Sequence, residues 1–434
     1  MRESEVRFAE RDGKFVAMTV FGTGPVDLAV VQARFPIDLM WELPALATFM
    51  ESLGQMARVI VFDSLGNGAS DPLDDPSLLE QSFDDLLAVL DAVESERASI
   101  LDLGTGGAAA AFAATFPDRV RSLAVVNLRA SYPEMQNLTK QQFSRFALAL
   151  HSDAHLRVQA PRLAHDPELQ RWWGRATRLV SSHEQLARLM QWAATRDYSA
   201  VLPLVRVPTL VMHRRENRIW DIETSRATAA LIPGARFVEL LGSENDLFLG
   251  DTTTALDEIE RLLRAPDSTD VDNRALTTVL FTDIVASTEQ LAQSGDRRWR
   301  EVLDRHDRLV EQLVAQHRGR VIKSLGDGAL AIFDGPTRAV RCARAIVEAA
   351  DRESVKVRAG LHTGEIELRA NDVAGIAVHI ASRISALATP GEILVSQTVV
   401  DLTQGADTPF DQRGEHSLKG LPGVWALYTP RPGA

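Results

Sequence analysis

Short runs of branched apolar residues recur along the first half of the chain, each followed by a longer stretch with helical spacing. Runs at 27–31, 58–62, 98–103, 122–126, 209–212 and 237–240 read as strands. They are almost wholly apolar, as in strands buried on both faces, rather than alternating. The strand–helix rhythm predicts a doubly wound parallel α/β sheet. Between about 131 and 200 it gives way to a stretch carrying Trp172, Trp173 and Trp192, which reads as an inserted helical cap.

The pattern changes after residue 264. The segment 265–274 has no apolar period and is rich in proline, serine and aspartate, as expected of a linker. It divides the chain into domains at 1–264 and 275–434. In the second domain, 276–282 reads as a strand and about 288–317 as a helix, with Trp299, Leu303, Leu309 and Leu313 near helical spacing. Runs at 320–324 and 329–333 form a hairpin around Leu325-Gly326-Asp327-Gly328. A helix over 336–350, a strand over 355–361, a helix over 375–388 and a strand over 392–396 follow. This order predicts an α+β fold of the ferredoxin-like kind.

Composition narrows the picture slightly. The chain has 434 residues, 45% hydrophobic and 24% charged, with a formal net charge of -12. That charge argues against non-specific binding to nucleic acid or to an anionic membrane. No apolar run reaches the length of a membrane span. Cys342 is the single cysteine, so no intrachain disulfide is expected, and a cytoplasmic setting is.

The candidate chemistry lies in the second domain. Asp283 is expected to follow a strand directly, and Asp327 to occupy a hairpin turn. Either alone would read as a turn aspartate. As a pair they suit magnesium, which takes one or two carboxylates together with phosphate oxygens and water.

Four separated motifs set these residues in a wider pattern: Phe281-Thr282-Asp283-Ile284-Val285, Lys323 with Gly326-Asp327, Gly360-Leu361-His362-Thr363-Gly364-Glu365, and Asp372 through Arg383. Together they resemble the class III adenylate/guanylate cyclase catalytic domain, over essentially all of 276–430. The resemblance implies an adenylyl cyclase converting ATP to 3′,5′-cyclic AMP and pyrophosphate. Two Mg2+ or Mn2+ ions per active site would be held by Asp283, Asp327 and the Ile284 carbonyl. Lys323 and Asp372 would read adenine: the lysine donates to N1 and the aspartate accepts from the 6-amino group. Backbone N–H groups around Ser287 and Thr288 would face the terminal phosphates, with Lys419 a further phosphate contact. Arg383 would stabilise charge on the α-phosphate. His379 stands where the family usually has an asparagine that positions the ribose. The resemblance further implies that Arg383 and His379 serve the partner's site, so activity requires a homodimer with active sites shared between chains. His362 reads as structural. Guanylyl or relaxed-specificity cyclisation, and a degenerate nucleotide-binding signalling scaffold, are the alternatives.

The first domain resembles the α/β-hydrolase fold over most of 15–262. The resemblance rests on Phe62-Asp63-Ser64-Leu65-Gly66-Asn67-Gly68, on Gly104-Thr105-Gly106-Gly107 before an alanine-rich helix, and on Val207-Pro208-Thr209-Leu210-Val211-Met212-His213. The serine of the nucleophile elbow is replaced by Gly104. The acid position falls on Asn217, beside Glu216, and the histidine position on Asn245. This implies a domain without the catalytic triad, acting as a regulatory sensor for a small apolar ligand. An esterase is the competing reading, with Thr105 as the substitute nucleophile.

Overall fold

The computed structural model describes residues 5–73, 79–104, 107–150, 152–265, 274–287, 295–369, 372–403 and 408–431. It divides into two compact units, Met1–Val271 and Asp272–Ala434. Residues 266–273, the greater part of the expected linker, lie outside the described residues.

The first unit is built on strands β1 (Val6–Arg11), β2 (Lys14–Phe21), β3 (Asp27–Val31), β4 (Arg58–Phe62), β5 (Ala98–Asp102), β6 (Val120–Val126), β7 (Thr209–Arg214) and β8 (Arg236–Leu240). They form one sheet in the order β1-β2-β4-β3-β5-β6-β7-β8. From β4 to β8 every pairing is parallel, and the six apolar runs read from the sequence are these strands. The antiparallel pair β1–β2 was not expected, because charged side chains break its apolar pattern. Its turn is nevertheless written in Asp12-Gly13, both with positive φ (52° and 76°), the backbone that a two-residue hairpin needs.

The helices of this unit are α1 (Pro44–Met56), α2 (Leu79–Ala92), α3 (Ala108–Thr115), α4 (Lys140–Leu150), α5 (Asp153–Gln159), α6 (Pro167–Val180), α7 (His183–Thr195), α8 (Ile222–Ala229) and α9 (Thr253–Leu263). Helices α4 to α7 make up the inserted cap. Asp166 caps α6 and Ser182 caps α7 through side-chain oxygens, fixing where each begins. Trp172 and Trp173 are buried in the core, and Trp172 Nε1 donates to the Leu39 carbonyl at 2.9 Å. These two tryptophans therefore hold the cap down.

The second unit has strands β9 (Arg274–Ile284), β10 (Arg320–Ser324), β11 (Gly328–Phe333), β12 (Val357–Leu368), β13 (Val373–Ala374), β14 (Ile393–Ser396), β15 (Phe410–His416) and β16 (Trp425–Pro430). Its helices are α10 (Asp296–Gln316), α11 (Pro336–Arg352), α12 (Ile376–Leu387) and α13 (Gln397–Thr403). The sheet runs β10-β11-β9-β12-β14-β16-β15, with β13 on β12. Strands β9 to β12 are all antiparallel to their neighbours in the order β10-β11-β9-β12, the ferredoxin-like arrangement expected. Helices α10 and α11 cover one face, against Leu280, Ala331 and Leu361. Helix α12 covers the other, against Val279, Leu330 and Ile366. Cys342 is buried in α11, and burial pushes its thiol up to about 12, so it is inert packing.

Two expectations are corrected. Asp283 lies inside β9, which runs to Ile284, because its backbone pairs with strands on both sides. Of the helix expected over 288–317, the stretch Asp296–Gln316 is described as α10; residues 288–294, Thr288 among them, lie outside the described residues. The strand expected to end at 361 continues to Leu368, since β9 offers it a partner along its whole length.

Helix α12 can dock only because β12 has a glycine beneath it. A Cβ on Gly360 would stand 2.1 Å from the Ser385 backbone nitrogen, with no side chain free to yield. Gly360→Ala is expected to cost about 3 kcal/mol or more, as overpacking against backbone does. Urea unfolding should shift to a lower midpoint, with faster amide hydrogen exchange in β12 and α12.

Candidate active site

The two carboxylates are brought together by strand register. Asp283 in β9 lies opposite Gly328 in β11, so its neighbour Asp327, at the end of the hairpin turn, faces the end of β9. The Ile284 amide donates to the Asp327 carbonyl at 2.8 Å, and Leu325 N–H closes the turn on the Gly328 carbonyl at 2.7 Å. Glycine is obligatory at 328, since a Cβ would come within 2.1 Å of the Thr282 carbonyl oxygen. Gly326 takes φ +94° in the same turn.

Each carboxylate has one oxygen engaged. The Ser287 hydroxyl donates to Asp327 Oδ2. Arg358 of β12, cross-strand from Asp283, directs Nε (2.8 Å) and Nη2 to Asp283 Oδ2, and its Nη1 reaches the Ala386 carbonyl at 3.4 Å. Arg358 was not singled out from the sequence. The available signal was a lone arginine within an otherwise apolar strand, Val357 to Leu361. Both aspartates are half-buried. Among the described residues no group of three or more His, Cys, Asp or Glu gathers. A pair of hard oxygen donors facing solvent nevertheless fits magnesium or manganese arriving with a phosphate ligand, which supplies the rest of the shell.

The hairpin that carries Asp327 also carries Lys323. A bulge between Val321 and Lys323 turns this side chain out of the regular ladder. Its ammonium lies 2.9 and 3.0 Å from the two oxygens of Asp372, although the residues are 49 apart in sequence. The hydrogen bond from Lys323, with a second from the Val373 amide, holds the Asp372 carboxyl below its usual range. The two side chains are 44% and 50% exposed, so their value lies in presenting a donor and an acceptor rather than in stability.

The remaining residues stand apart in one chain. Arg383 and His379 share one face of α12, four residues apart, while Ala377, Ile380, Ala381 and Ile384 face the sheet. Both are exposed, and among the described residues neither makes a hydrogen bond or ion pair. Lys419 is exposed in the turn between β15 and β16.

In the first unit, Gly104 follows β5 with φ +102°, and its amide donates to Asp102 Oδ1 at 2.9 Å. Asn217 Nδ2 donates to Asn245 Oδ1 at 3.1 Å, and Asn127 Nδ2 donates to the same oxygen at 3.2 Å. Glu216 turns away to pair with exposed Arg162. Thr105 lies outside the described residues. Beside Gly104 a cavity of about 340 Å³ opens under the cap.

Comparison with known proteins agrees with both geometries. Residues 271–429 match the family described as "Adenylate and Guanylate cyclase catalytic domain", and residues 41–252 match "alpha/beta hydrolase fold". The chain joins a unit of the α/β-hydrolase fold to a unit of the class III nucleotidyl cyclase fold. "Putative adenylate cyclase 3" of Rhizobium meliloti is 30% identical over 168 residues, 37% of this chain and 29% of that protein. "Adenylate cyclase" of Streptomyces coelicolor is 30% identical over 155 residues, 35% of this chain and 40% of that protein. The chain thus spans well under half the length of these two relatives. A hydrolase from Pseudomonas aeruginosa PA01 shares the fold of the first domain, at 23% identity and TM-score 0.51, covering 61% of this chain and 100% of that one.

His362 lies in the core of the cyclase domain, its Nδ1 2.8 Å from Ser396 Oγ and its ring edge-on to Trp425. Burial pulls its pKa down to about 4. The unfolded chain, with an ordinary histidine near 6.5, therefore binds more protons between about pH 4 and 6.5. Stability is fully present above that window and is lost as pH falls through it. The cyclase domain is expected to lose about 3 kcal/mol on this account between pH 7 and 4. Urea midpoints measured against pH should show this slope, and His362→Gln should flatten it.

Proposed function

We propose that the chain is an adenylyl cyclase, with an active site completed by a second copy of the chain. In the reaction the ribose 3′ oxygen of ATP attacks the α-phosphorus and the bond to the β-phosphate oxygen breaks. Pyrophosphate leaves, and the 3′ proton passes to solvent. The observation that carries the reading is the Lys323–Asp372 pair, whose lysine lies on the hairpin that also bears Asp327. Lys323 donates to adenine N1 and Asp372 accepts from the 6-amino group. Guanine presents a donor at N1 and an acceptor at position 6, which mismatches both groups, and polar mismatches of this kind discriminate strongly.

Asp283 and Asp327, with the Ile284 carbonyl, would hold Mg2+ or Mn2+, two per site; the ions would neutralise charge on the entering and leaving oxygens. Ser287, Thr288 and Lys419 would face the terminal phosphates. Arg383 would neutralise the α-phosphate through its fork of donors, and His379 would orient the ribose. The outward, unpartnered placement of Arg383 and His379 supports a homodimer in which each chain lends this pair to the other's site. We place the domain boundary within 265–274. We further propose that the hydrolase domain has no hydrolytic activity and serves as the sensor half. Gly104 offers no nucleophile, and the Asn217–Asn245 pair supplies neither a base nor a charged acid.

The purified chain with manganese and ATP should yield cyclic AMP, and little product from GTP. Lys323→Ala should lower kcat/KM for ATP by about tenfold to a hundredfold, the worth of a hydrogen bond from a charged donor, with far less effect on GTP. Steady-state rates with each nucleotide check this. An unchanged ratio of ATP to GTP would remove the assignment of base recognition.

A further inference from the structure

We propose that the cavity of the hydrolase domain is a binding site for a monocarboxylic acid with an apolar body, whose carboxylate sits on Arg34 where the hydrolytic centre of the fold would lie. The inference rests on the reading of this domain as non-hydrolytic and names the chemistry of its ligand.

The cavity lies between the cap and the helices and loops at the end of the sheet, with Phe83, Phe112, Phe146, Leu189 and Met190 among its walls. Its volume is at the lower end of the range for small-molecule sites, and its lining is of the predominantly apolar kind that such sites have. Two charged side chains line it, Arg34 and Asp85, and Asp85 is already engaged by Arg11 and by the Leu65 amide. Arg34, in the loop after β3, approaches Asp246 through Nε at 3.4 Å. Its Nη2 instead points to the elbow, 3.6 Å from where a Cβ on Gly104 would stand. Among the described residues that end of the fork donates no hydrogen bond. The missing side chain at 104 therefore leaves a space at the floor of the cavity, with a cationic donor at its edge.

The neighbours do not cancel this charge. Burial holds the Asp246 carboxyl above the usual range, against the pull of Arg34 and Arg214, which weakens it as a counter-ion. His155, also in the lining, is pulled down to about 4, by burial first and by Arg34 second, so at neutral pH it is an uncharged imidazole. Two further lining groups are buried without a partner, Gln159 Oε1 and Trp192 Nε1, and the indole N–H is a donor. A half-buried guanidinium with one end of its fork open in an apolar chamber selects a planar monoanion that it can meet with parallel N–H groups. A neutral ester or alcohol gives that end no charged acceptor, and a doubly charged phosphate has too much to desolvate.

Isothermal titration of the full chain with decanoate, decanol and decyl phosphate tests this. Decanoate should bind, and decanol and decyl phosphate at least about tenfold more weakly. Arg34→Gln should remove the preference for decanoate over decanol, and Arg34→Lys should retain part of it. Leu189→Trp, which fills the cavity and leaves Arg34 in place, should exclude all three, so loss of binding does not depend on one variant's folding. Equal affinity for acid and alcohol, tighter binding of the phosphate, binding indifferent to Arg34→Gln, or no binding of decanoate would each overturn the proposal. Turnover of p-nitrophenyl decanoate would instead overturn the non-hydrolytic reading, and it is scored separately from the binding preference.

Discussion

The cyclase domain depends on one cross-strand alignment. Strand β9 is held between β11 and β12 so that Asp283 faces Gly328 on one side and Arg358 on the other. Slipping β9 by one residue against these neighbours would turn the aspartate to the opposite face of the sheet. The glycine admits the close approach of the hairpin, which places Asp327 at the same end of the sheet, and the arginine balances the charge concentrated there. The Lys323–Asp372 pair depends on the same hairpin, because Lys323 lies in β10 just before the turn. Asp327 and Lys323 thus share a single support.

How much of this was legible follows from the kind of signal each part leaves. The parallel strands of the hydrolase domain were legible as largely apolar runs, and the β10–β11 hairpin as two strand-like segments around a glycine-flanked aspartate. Lys323 and Asp372 were assigned together only through family resemblance, and the fold places them in direct contact. Arg358 was missed because its pairing arises from register between strands 75 residues apart, which no local pattern encodes. The β1–β2 hairpin was missed because β1 is largely exposed and interrupted by charge, although Asp12-Gly13 carried its turn. Asp283 was placed after its strand because a polar residue ends an apolar run; backbone pairing on both sides carries the strand past it.

The hydrolase domain turns the same principle to a different end. Gly104 follows β5 with a positive φ, and the Asn217 and Asn245 side chains meet by a hydrogen bond, but these are amides, which hold position without moving protons. A fold shaped to expose a nucleophile at the floor of a chamber then leaves a chamber with a vacant floor, and Arg34 is the charged group at its edge. In the cyclase domain the reverse holds. Arg383 and His379 of α12 face outward, and among the described residues neither makes a hydrogen bond or ion pair.

The central claim is that one chain carries half of each active site, and mixing two inactive variants tests it most directly. Asp283→Ala and Arg383→Ala chains, each inactive alone, are combined under conditions where mixed dimers are confirmed by mass. A shared site predicts recovery of cyclic AMP synthesis to about a quarter of the wild-type rate, because half of the dimers carry one intact site out of two. No recovery in a population of confirmed mixed dimers would contradict it.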